Sequence, residues 1–170
     1  MNTAVRCYVG LGSNLDQPAE RVREVAQRIA ELPTVQHLRL SPLYRSAPWG
    51  KLDQPDFINA VAECHMALPP NAFLAELLSI EQAMGRARGE RWGPRRIDLD
   101  LLHIDGVRQT LSAGGLPANS PALELPHPRL ADRAFVLQPW LDLVDDLELP
   151  GGESLRQIAS QVDCSKLTRL

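Results

Sequence analysis

The chain has 170 residues, 44% of them hydrophobic and 23% charged, which is typical of a globular protein with a substantial core. Its formal net charge of −3 argues against a protein whose whole surface binds nucleic acid, although a local basic site is compatible with it. The sequence has neither the apolar core of a signal peptide nor a run of about 18 apolar residues, so we expect no membrane partner.

The cysteines and histidines show no metal-binding spacing. Cys7 and Cys64 lie in apolar strand-like runs, Cys164 is far from both, and no CxxC pair occurs. The four histidines lack the spacing of zinc ligands. We therefore expect reduced and mostly buried thiols, and a cytoplasmic location.

The first part of the chain changes from a strand period to a helical period. Residues 4–11 alternate as in a strand, and residues 18–32 carry a helical apolar stripe. Asp16 is a suitable N-cap for that helix. Residues 35–46 predict an irregular strand, which Pro42 restricts to a sheet edge or a bulge.

The middle of the chain repeats this order. Residues 57–68 are the clearest strand, and a strong helix follows from Pro70 to Met84, with Gly85 as its C′ residue. Another strand is predicted from Ile97 to about Ile104. The resulting order, β-α-β-β-α-β, is the split unit of ferredoxin-like folds.

The last third is less regular. Residues 106–122 favour a hairpin with a long excursion, and residues 130–140 predict a short helix that stops near Pro139. Residues 154–162 predict a final helix. We therefore predict a single α+β domain over residues 1–170, a ferredoxin-like antiparallel sheet with helices packed on it and a C-terminal hairpin and helix extension.

Two aspartates lie two residues apart in the strand that begins near Ile97. Residues at this spacing share a face about 7 Å apart, so Asp98 and Asp100 project together while Leu99 and Leu101 point into the core. Two carboxylates in this arrangement suit a hard cation such as Mg²⁺. The alternative is a solvated acidic pair neutralised by nearby arginines, which would contribute little to stability.

The loop before this strand is rich in arginine. Within eleven residues it contains one acid, Glu90, and the arginines Arg86, Arg88, Arg91, Arg95 and Arg96. Guanidinium groups this close repel one another unless an anion neutralises them, and their planar fork matches phosphate oxygens. A solvated loop is the alternative, but the arginines together with the aspartates favour Mg²⁺–nucleotide chemistry.

The turn after the first strand, GLGSNL at residues 10–15, is not a phosphate loop. It lacks the Lys-Ser/Thr ending of a P-loop and the third glycine of a dinucleotide fingerprint. A simple strand-to-helix turn is the ordinary interpretation, although its backbone amides are also able to bind an anion.

Several other side chains are candidates for a ligand pocket. Asn59 offers donors and an acceptor to the edge of a heterocycle, and Phe57 and Trp49 offer stacking surfaces nearby. Taken alone, each is more often a core or edge residue. His127 lies between two prolines, where a satisfied surface histidine is the default interpretation.

Four motifs in order resemble the 6-hydroxymethyl-7,8-dihydropterin pyrophosphokinase family of folate biosynthesis, namely GSN, DQPDFINA, RWGPRRIDLDLL and LPHPRLADRAFVLQPW. The resemblance runs from about Tyr8 to Trp140, and RWGPR followed two residues later by DLDLL is highly specific to that family. It implies transfer of the diphosphate of ATP to the hydroxymethyl group of a dihydropterin, with release of AMP.

The resemblance also implies residue roles. Asp98 and Asp100 would be ligands of two Mg²⁺ ions, and the implied catalytic residues are Arg86, Arg95, Asp98 and Asp100. Contacts with ATP are implied for Arg86, Arg88, Arg95, His127 and Arg133. A pterin pocket is implied for Ser46, Pro48, Trp49, Phe57, Asn59, Trp92 and Phe135, although many members have a tyrosine at the position of Phe57.

No residue stands out as a general base: Asp100 is one candidate, and catalysis by positioning and electrostatics alone is the alternative.

A ferredoxin-like RNA-binding module is a rival function, but aromatic residues are only 5% and no RNP1 pattern occurs. A regulatory nucleotide-binding domain is a third possibility. We expect ATP and the dihydropterin as partners, no nucleic acid, and a monomer.

Overall fold

The structure is a computed structural model that describes residues 3–85, 93–111 and 123–170. Within these ranges the strands are β1 (Val5–Ser13), β2 (Val35–Leu40), β3 (Tyr44–Ser46), β4 (Phe57–Met66), β5 (Asp98–Ile104), β6 (Gln109–Leu111), β7 (Leu123–Leu125) and β8 (Thr168–Arg169). The helices are α1 (Pro18–Ala30), α2 (Pro70–Ala83), α3 (Ala134–Leu143) and α4 (Leu155–Ser160), and a 3₁₀ turn (Leu130–Asp132) precedes α3.

The main sheet is antiparallel, with the strand order β5-β1-β4-β3-β8. β2 and β3 pair with successive parts of the same edge of β4. The break between them contains Ser41, whose hydroxyl accepts a hydrogen bond from the Val61 N–H (2.9 Å), and Pro42, which has no N–H to donate. The irregular strand expected over residues 35–46 is therefore two strands. β6 and β7 form a separate antiparallel pair.

The sheet is covered on both faces. On one face α1 and α2 pack against β1 residues such as Cys7, Val9 and Leu11. On the other, α3 and α4 enclose a second core that contains Tyr8 and Trp140. Both faces of β1 and β4 are therefore buried over most of their length, and the polar residues of β4, Asn59, Glu63 and His65, all lie on the α3 face.

β5 separates apolar from acidic residues as expected. Leu99 and Leu101, 3% and 2% exposed, lie in the core beneath α1 and α2, and Ile97 joins them just before the strand. Asp98 and Asp100 therefore lie on the face that carries α3.

Three local expectations are wrong. Residues 10–13, expected to begin a turn, continue β1 as far as Ser13. Asp16 is not the N-cap of α1: the cap is Gln17, in a left-handed conformation and without a side-chain cap bond. The Asp16 carboxylate instead pairs with the Arg96 guanidinium (Nε–Oδ2 3.0 Å). α3 does not stop near Pro139 but continues through it to Leu143. Pro139 costs one helical hydrogen bond, which burial of the neighbouring Trp140 helps to offset.

The C-terminal residues return to the edge of the sheet. β8 pairs with β3, and the Leu170 N–H donates to the Leu43 carbonyl (2.9 Å). The Tyr44 hydroxyl donates to the Asp142 carboxylate (2.5 Å), which joins β3 to α3. No helix in the described ranges is long and apolar enough to span a bilayer.

Candidate functional site

Gly10 and Gly12 of β1 have no side chains and form a bare strip of backbone, the glycine floor, on the α3 face of the sheet. Gly12 of β1 lies opposite Asn59 of β4 and opposite Asp98 of β5. Gly10 lies opposite Asp100 in the same way. A Cβ added at Gly12 would approach Asn59 Oδ1 to 3.0 Å, so a side chain there would crowd the asparagine. The polar groups of β4 and β5 therefore face one another across an open strip of backbone.

A cleft of about 650 Å³, including its open mouth, lies above this floor. Its lining comes from the sheet, from the loops beside it and from α3, and comprises Gly12, Ser46, Ala47, Trp49, Phe57, Asn59, Gly93, Arg95, Asp98, Asp100, Arg133 and Phe135. The fold thus brings together nine of the predicted site residues, which come from widely separated parts of the chain. A smaller cavity beside it is lined by Gly10, Asp100 and Val136, among others.

Each of the two aspartates is paired with an arginine. Arg95 Nη1 lies 2.6 Å from Asp98 Oδ2, and Arg133 Nη1 lies 2.7 Å from Asp100 Oδ2. The aspartate side chains are 23% and 32% exposed, so each pair contributes only modestly to stability. Such pairs exchange their partners readily when a cation approaches the carboxylates or an anion approaches the arginines.

The donor chemistry of the cleft fits a hard divalent cation. The oxygens of Asp98 and Asp100 are the ligand type that Mg²⁺ prefers, and Mg²⁺ commonly completes its shell with water and phosphate oxygens. Across residues 3–85, 93–111 and 123–170, no group of three or more His, Cys, Asp or Glu side chains is arranged to hold a metal. A cation held by these two aspartates would therefore complete its shell with water or with oxygens of a bound ligand.

The cleft lining also includes two aromatic rings and a buried amide. Phe57 of β4 and Phe135 of α3 both line it, with the Arg133 guanidinium 5.9 Å from the Phe135 ring centroid. Asn59 is only 6% exposed, and its Nδ2 donates to Ser46 Oγ (2.8 Å), which fixes the plane of the amide. These side chains therefore offer ring faces and an oriented amide to a flat polar heterocycle.

His127 lies near this site but does not line the main cleft. Burial, together with the nearby cations Arg133 and Arg129, lowers the pKa of His127 to about 4. Its Nδ1 accepts a hydrogen bond from the Arg129 backbone N–H (3.2 Å), which leaves the proton of the neutral ring on Nε2. The histidine is thus partly buried and neutral, and not the ordinary surface residue of the default interpretation.

Two residues that contact the elements of the site were not predicted from the sequence. The Arg129 guanidinium lies 5.8 Å from the ring centroid of Trp49, which is 48% exposed. Glu81 of α2 is 1% exposed, and its carboxylate accepts a hydrogen bond from the Leu99 N–H (2.6 Å), between the two aspartates of β5. The sequence signal for Arg129 is its place two residues after His127 in the HPR motif. Glu81 gives no such signal, because polar residues are common in amphipathic helices.

Of the other predicted site residues that the structure describes, Pro48 and His127 do not line the cleft. Pro48 lies between the lining residues Ala47 and Trp49 without lining the cleft itself. Arg86, Arg88 and Trp92 lie outside the described residues.

Comparison with known proteins matches this chain to one enzyme family over most of its length. The family model for 7,8-dihydro-6-hydroxymethylpterin-pyrophosphokinase matches residues 8–145. A Pseudomonas aeruginosa protein named 2-amino-4-hydroxy-6-hydroxymethyldihydropteridine pyrophosphokinase is 39% identical over 97% of this chain and 96% of its own length. Proteins of the same name from Methylorubrum extorquens and Haemophilus influenzae are 37% and 34% identical, each over 98% of its own length.

Solved structures show the same fold at much lower identity. A wild-type Plasmodium falciparum HPPK-DHPS crystal structure matches 99% of this chain with a TM-score of 0.73 and 14% identity. An HPPK-DHPS structure in complex with substrates matches 98% of it with a TM-score of 0.73 and 12% identity. The chain spans 44% and 46% of those two chains, respectively.

The glycine floor predicts different effects for two glycine substitutions. Gly12→Ala would push against Asn59 Oδ1 and should lower the free energy of unfolding by roughly 1–3 kcal/mol. Gly10→Ala is the matched control, since its Cβ would lie 3.4 Å from Leu102 Cδ2, the movable end of a side chain. Urea unfolding of both variants measures the difference, and equal losses would contradict the crowding at Asn59.

Protonation of His127 should destabilise the fold in acid. The unfolded chain takes up this proton below its ordinary pKa of 6.5, whereas the folded protein resists it down to about 4. The free energy of unfolding should therefore fall as the pH drops through this window. His127→Gln should reduce the fall by roughly 1–2 kcal/mol, allowing for partial exposure. Urea titrations at several pH values test this, with His37→Gln, at an exposed position, as the control; a fall as steep in His127→Gln as in the parent would contradict it.

Proposed function

We propose, because the chain belongs to the 7,8-dihydro-6-hydroxymethylpterin-pyrophosphokinase family, that it transfers the diphosphate of ATP to 6-hydroxymethyl-7,8-dihydropterin. The products are the pterin diphosphate and AMP, and the reaction belongs to folate biosynthesis. One observation supports this most directly: two arginine-paired aspartates, two aromatic rings and a buried amide all line a single cleft. Such a cleft has one part suited to phosphate and another suited to a flat heterocycle.

The reaction is a displacement at the β-phosphorus of ATP. The pterin hydroxymethyl oxygen forms a new bond to that phosphorus, the bond to the oxygen bridging the α- and β-phosphates breaks, and AMP leaves with the bridging oxygen. The hydroxyl proton passes to solvent or to a carboxylate such as Asp100. The protein contributes mainly by aligning the two substrates and balancing the phosphate charge.

The arginines and aspartates divide the charges of the nucleotide between them. We assign phosphate oxygens to the guanidiniums of Arg95 and Arg133, which now pair with the aspartates. Arg86 and Arg88 are proposed to contact the nucleotide from the preceding loop, and Arg86 and Arg95 to act in catalysis. His127 would donate from its neutral Nε2–H, because its Nδ1 already accepts a backbone N–H.

Asp98 and Asp100 are proposed to hold Mg²⁺, two ions together with the triphosphate. Bound Mg²⁺ would neutralise charge on the phosphates. The two carboxylates fit this role because they share one face of a rigid strand and already carry a positive partner each. Once the two carboxylates bind Mg²⁺, the guanidiniums of Arg95 and Arg133 would leave them and bind the phosphate oxygens.

The pterin is proposed to bind between the rings of Phe57 and Phe135, with Asn59 pairing with the edge of the bicycle. The orientation of Asn59 by Ser46 supports this role, because an oriented amide binds a heterocycle without losing further rotational freedom. Pro48, Trp49 and Trp92 are proposed to close around the pterin and exclude water.

The remaining proposals concern the architecture and setting of the protein. The strand order β5-β1-β4-β2, with α1 and α2 on one face, supports a ferredoxin-like unit, and β6, β7, α3 and α4 its C-terminal extension. We propose that residues 1–170 form one pyrophosphokinase domain that acts as a monomer in the cytoplasm. The free thiols of Cys7, Cys64 and Cys164 support a reducing compartment.

Removing either aspartate charge should abolish most of the transfer activity while the fold survives. Asp98→Asn and Asp100→Asn should each lower kcat for AMP formation by about 100-fold or more, because the charge balance at the phosphates is lost. Asp105→Asn is a matched control: it breaks another arginine pair of the same sheet (Arg6 Nε–Asp105 Oδ2 2.9 Å) away from the cleft. Near-normal turnover in both cleft variants would refute the metal assignment.

Asn59→Ala should weaken binding of the pterin more than binding of ATP. Loss of hydrogen bonds to the heterocycle edge should raise the pterin Kd about tenfold and leave the ATP Kd nearly unchanged. Calorimetric titration with each ligand measures both constants. Ser46→Ala, which removes the hydrogen-bond partner of Asn59 but keeps the Asn59 amide, should have a smaller effect of the same kind. An equal loss for the two ligands would exclude Asn59 from the pterin pocket.

One assay separates the proposed enzyme from its rivals. Formation of AMP from ATP that depends on hydroxymethyl-dihydropterin supports the transferase. Salt-dependent RNA binding without turnover would favour the RNA-binding module, and ATP binding without AMP formation would favour a regulatory nucleotide-binding domain.

A further inference from the structure

Asn14 occupies a junction between two segments that carry cleft residues. It follows the last residue of β1 and is 3% exposed. One neighbouring segment, residues 49–56, contains Trp49, and the other, residues 93–96, contains Arg95. Asn14 itself does not line the cleft, so direct contact with the substrates does not explain its contacts.

On one side Asn14 holds the backbone of Arg95. Asn14 Oδ1 accepts a hydrogen bond from the Arg95 N–H (2.8 Å), and the Asn14 N–H donates to the Arg95 carbonyl (3.1 Å). The neighbouring Ser13 Oγ donates to the Arg96 carbonyl (2.5 Å). The backbone of residues 95–96, just before β5, is therefore hydrogen-bonded to the end of β1.

On the other side Asn14 holds the segment of Trp49. Asn14 Nδ2 donates to Gln54 Oε1 (3.0 Å) and to the Pro55 carbonyl (3.0 Å). Gln54 Nε2 donates in turn to the Lys51 carbonyl (2.7 Å), which extends the connection towards Trp49. The side-chain amide of Asn14 thus uses its acceptor on one segment and both of its donors on the other.

This division of bonds requires asparagine. Aspartate has no donor for Gln54 and Pro55, and serine has only one donor. A residue that merely ended a strand would need none of these contacts, whereas the contacts of Asn14 reach 40, 41 and 81 positions along the chain. These contacts join the segment that carries Trp49 to the segment that carries Arg95.

We propose that Asn14 is a positioning residue that couples the segment of Trp49 to the segment of Arg95, a role that rests on the proposed pyrophosphokinase function. With the bridge intact, the segment of Trp49 and the segment of Arg95 move together above the sheet. Without it, either segment moves without the other, and displacements near 1 Å are enough to cost about 100-fold in rate.

Two variants of Asn14 separate the two sides of the bridge. Asn14→Ala removes every side-chain bond, and should lower kcat/KM about 10- to 100-fold for both substrates and speed hydrogen exchange in residues 49–56 and at the Arg95 amide. Asn14→Asp keeps an acceptor for Arg95 but repels the Pro55 carbonyl. It should therefore speed exchange only in residues 49–56 and raise KM for the pterin more than KM for ATP.

A partner variant and a matched control complete the test. Gln54→Leu should resemble Asn14→Asp, and adding it to Asn14→Ala should cause little further loss, because both act through one bridge. Asn71→Ala, an asparagine in the first turn of α2 on the opposite face of the sheet, should leave kcat/KM of the folded protein unchanged.

The outcomes distinguish this inference from the function on which it rests. If the unaltered protein forms no pterin-dependent AMP, the proposed function fails, and hydrogen exchange alone then decides the coupling. If that protein is active, then a folded Asn14→Ala variant with unchanged kcat/KM would overturn the inference. Lost activity with unchanged exchange in both segments would overturn it as well.

Discussion

The backbone hydrogen bonds that pair β1 with β4 and β5 determine how far apart the two halves of the cleft lie. Asn59 and Asp98 are opposite the same residue of β1, and that residue, Gly12, has no side chain to fill the space between them. The amide and the carboxylate are therefore held two strand spacings apart, about 10 Å, by bonds that do not depend on either side chain. The two cores on the two faces of the sheet keep this register rigid.

The cleft combines this rigid floor with weakly held charges. Asp98 and Asp100 sit on a core strand, but their arginine partners come from elsewhere, Arg95 from the preceding loop and Arg133 from the end of the 3₁₀ turn before α3. Partly exposed ion pairs contribute little, so they exchange at little cost for phosphate and a metal ion. This suits a reaction in which charge balance and alignment of two substrates provide most of the catalysis.

The parts of the fold that depend on local pattern were predictable. The alternation of β5 correctly separates Leu99 and Leu101 from the two aspartates, because a strand has a strict period of two. The local rules failed at Asp16 and Pro139, where a distant partner or burial outweighed the preference of the residue itself. Asp16 pairs with Arg96, eighty positions away, and Pro139 lies in a helix whose buried face stabilises it.

The sequence by itself determined most of the helices and strands, the acidic strand and the family motifs, because these depend on residue type and on spacing within short stretches. Only the tertiary structure decided which distant residues meet: Arg133 with Asp100, Glu81 with the Leu99 N–H, and Asn14 with both Gln54 and Arg95. GLGSNL looked like a plain turn because the partners of its asparagine lie 40 and 81 residues away. Contacts over such distances depend on the strand order and on loop paths, which no local pattern specifies.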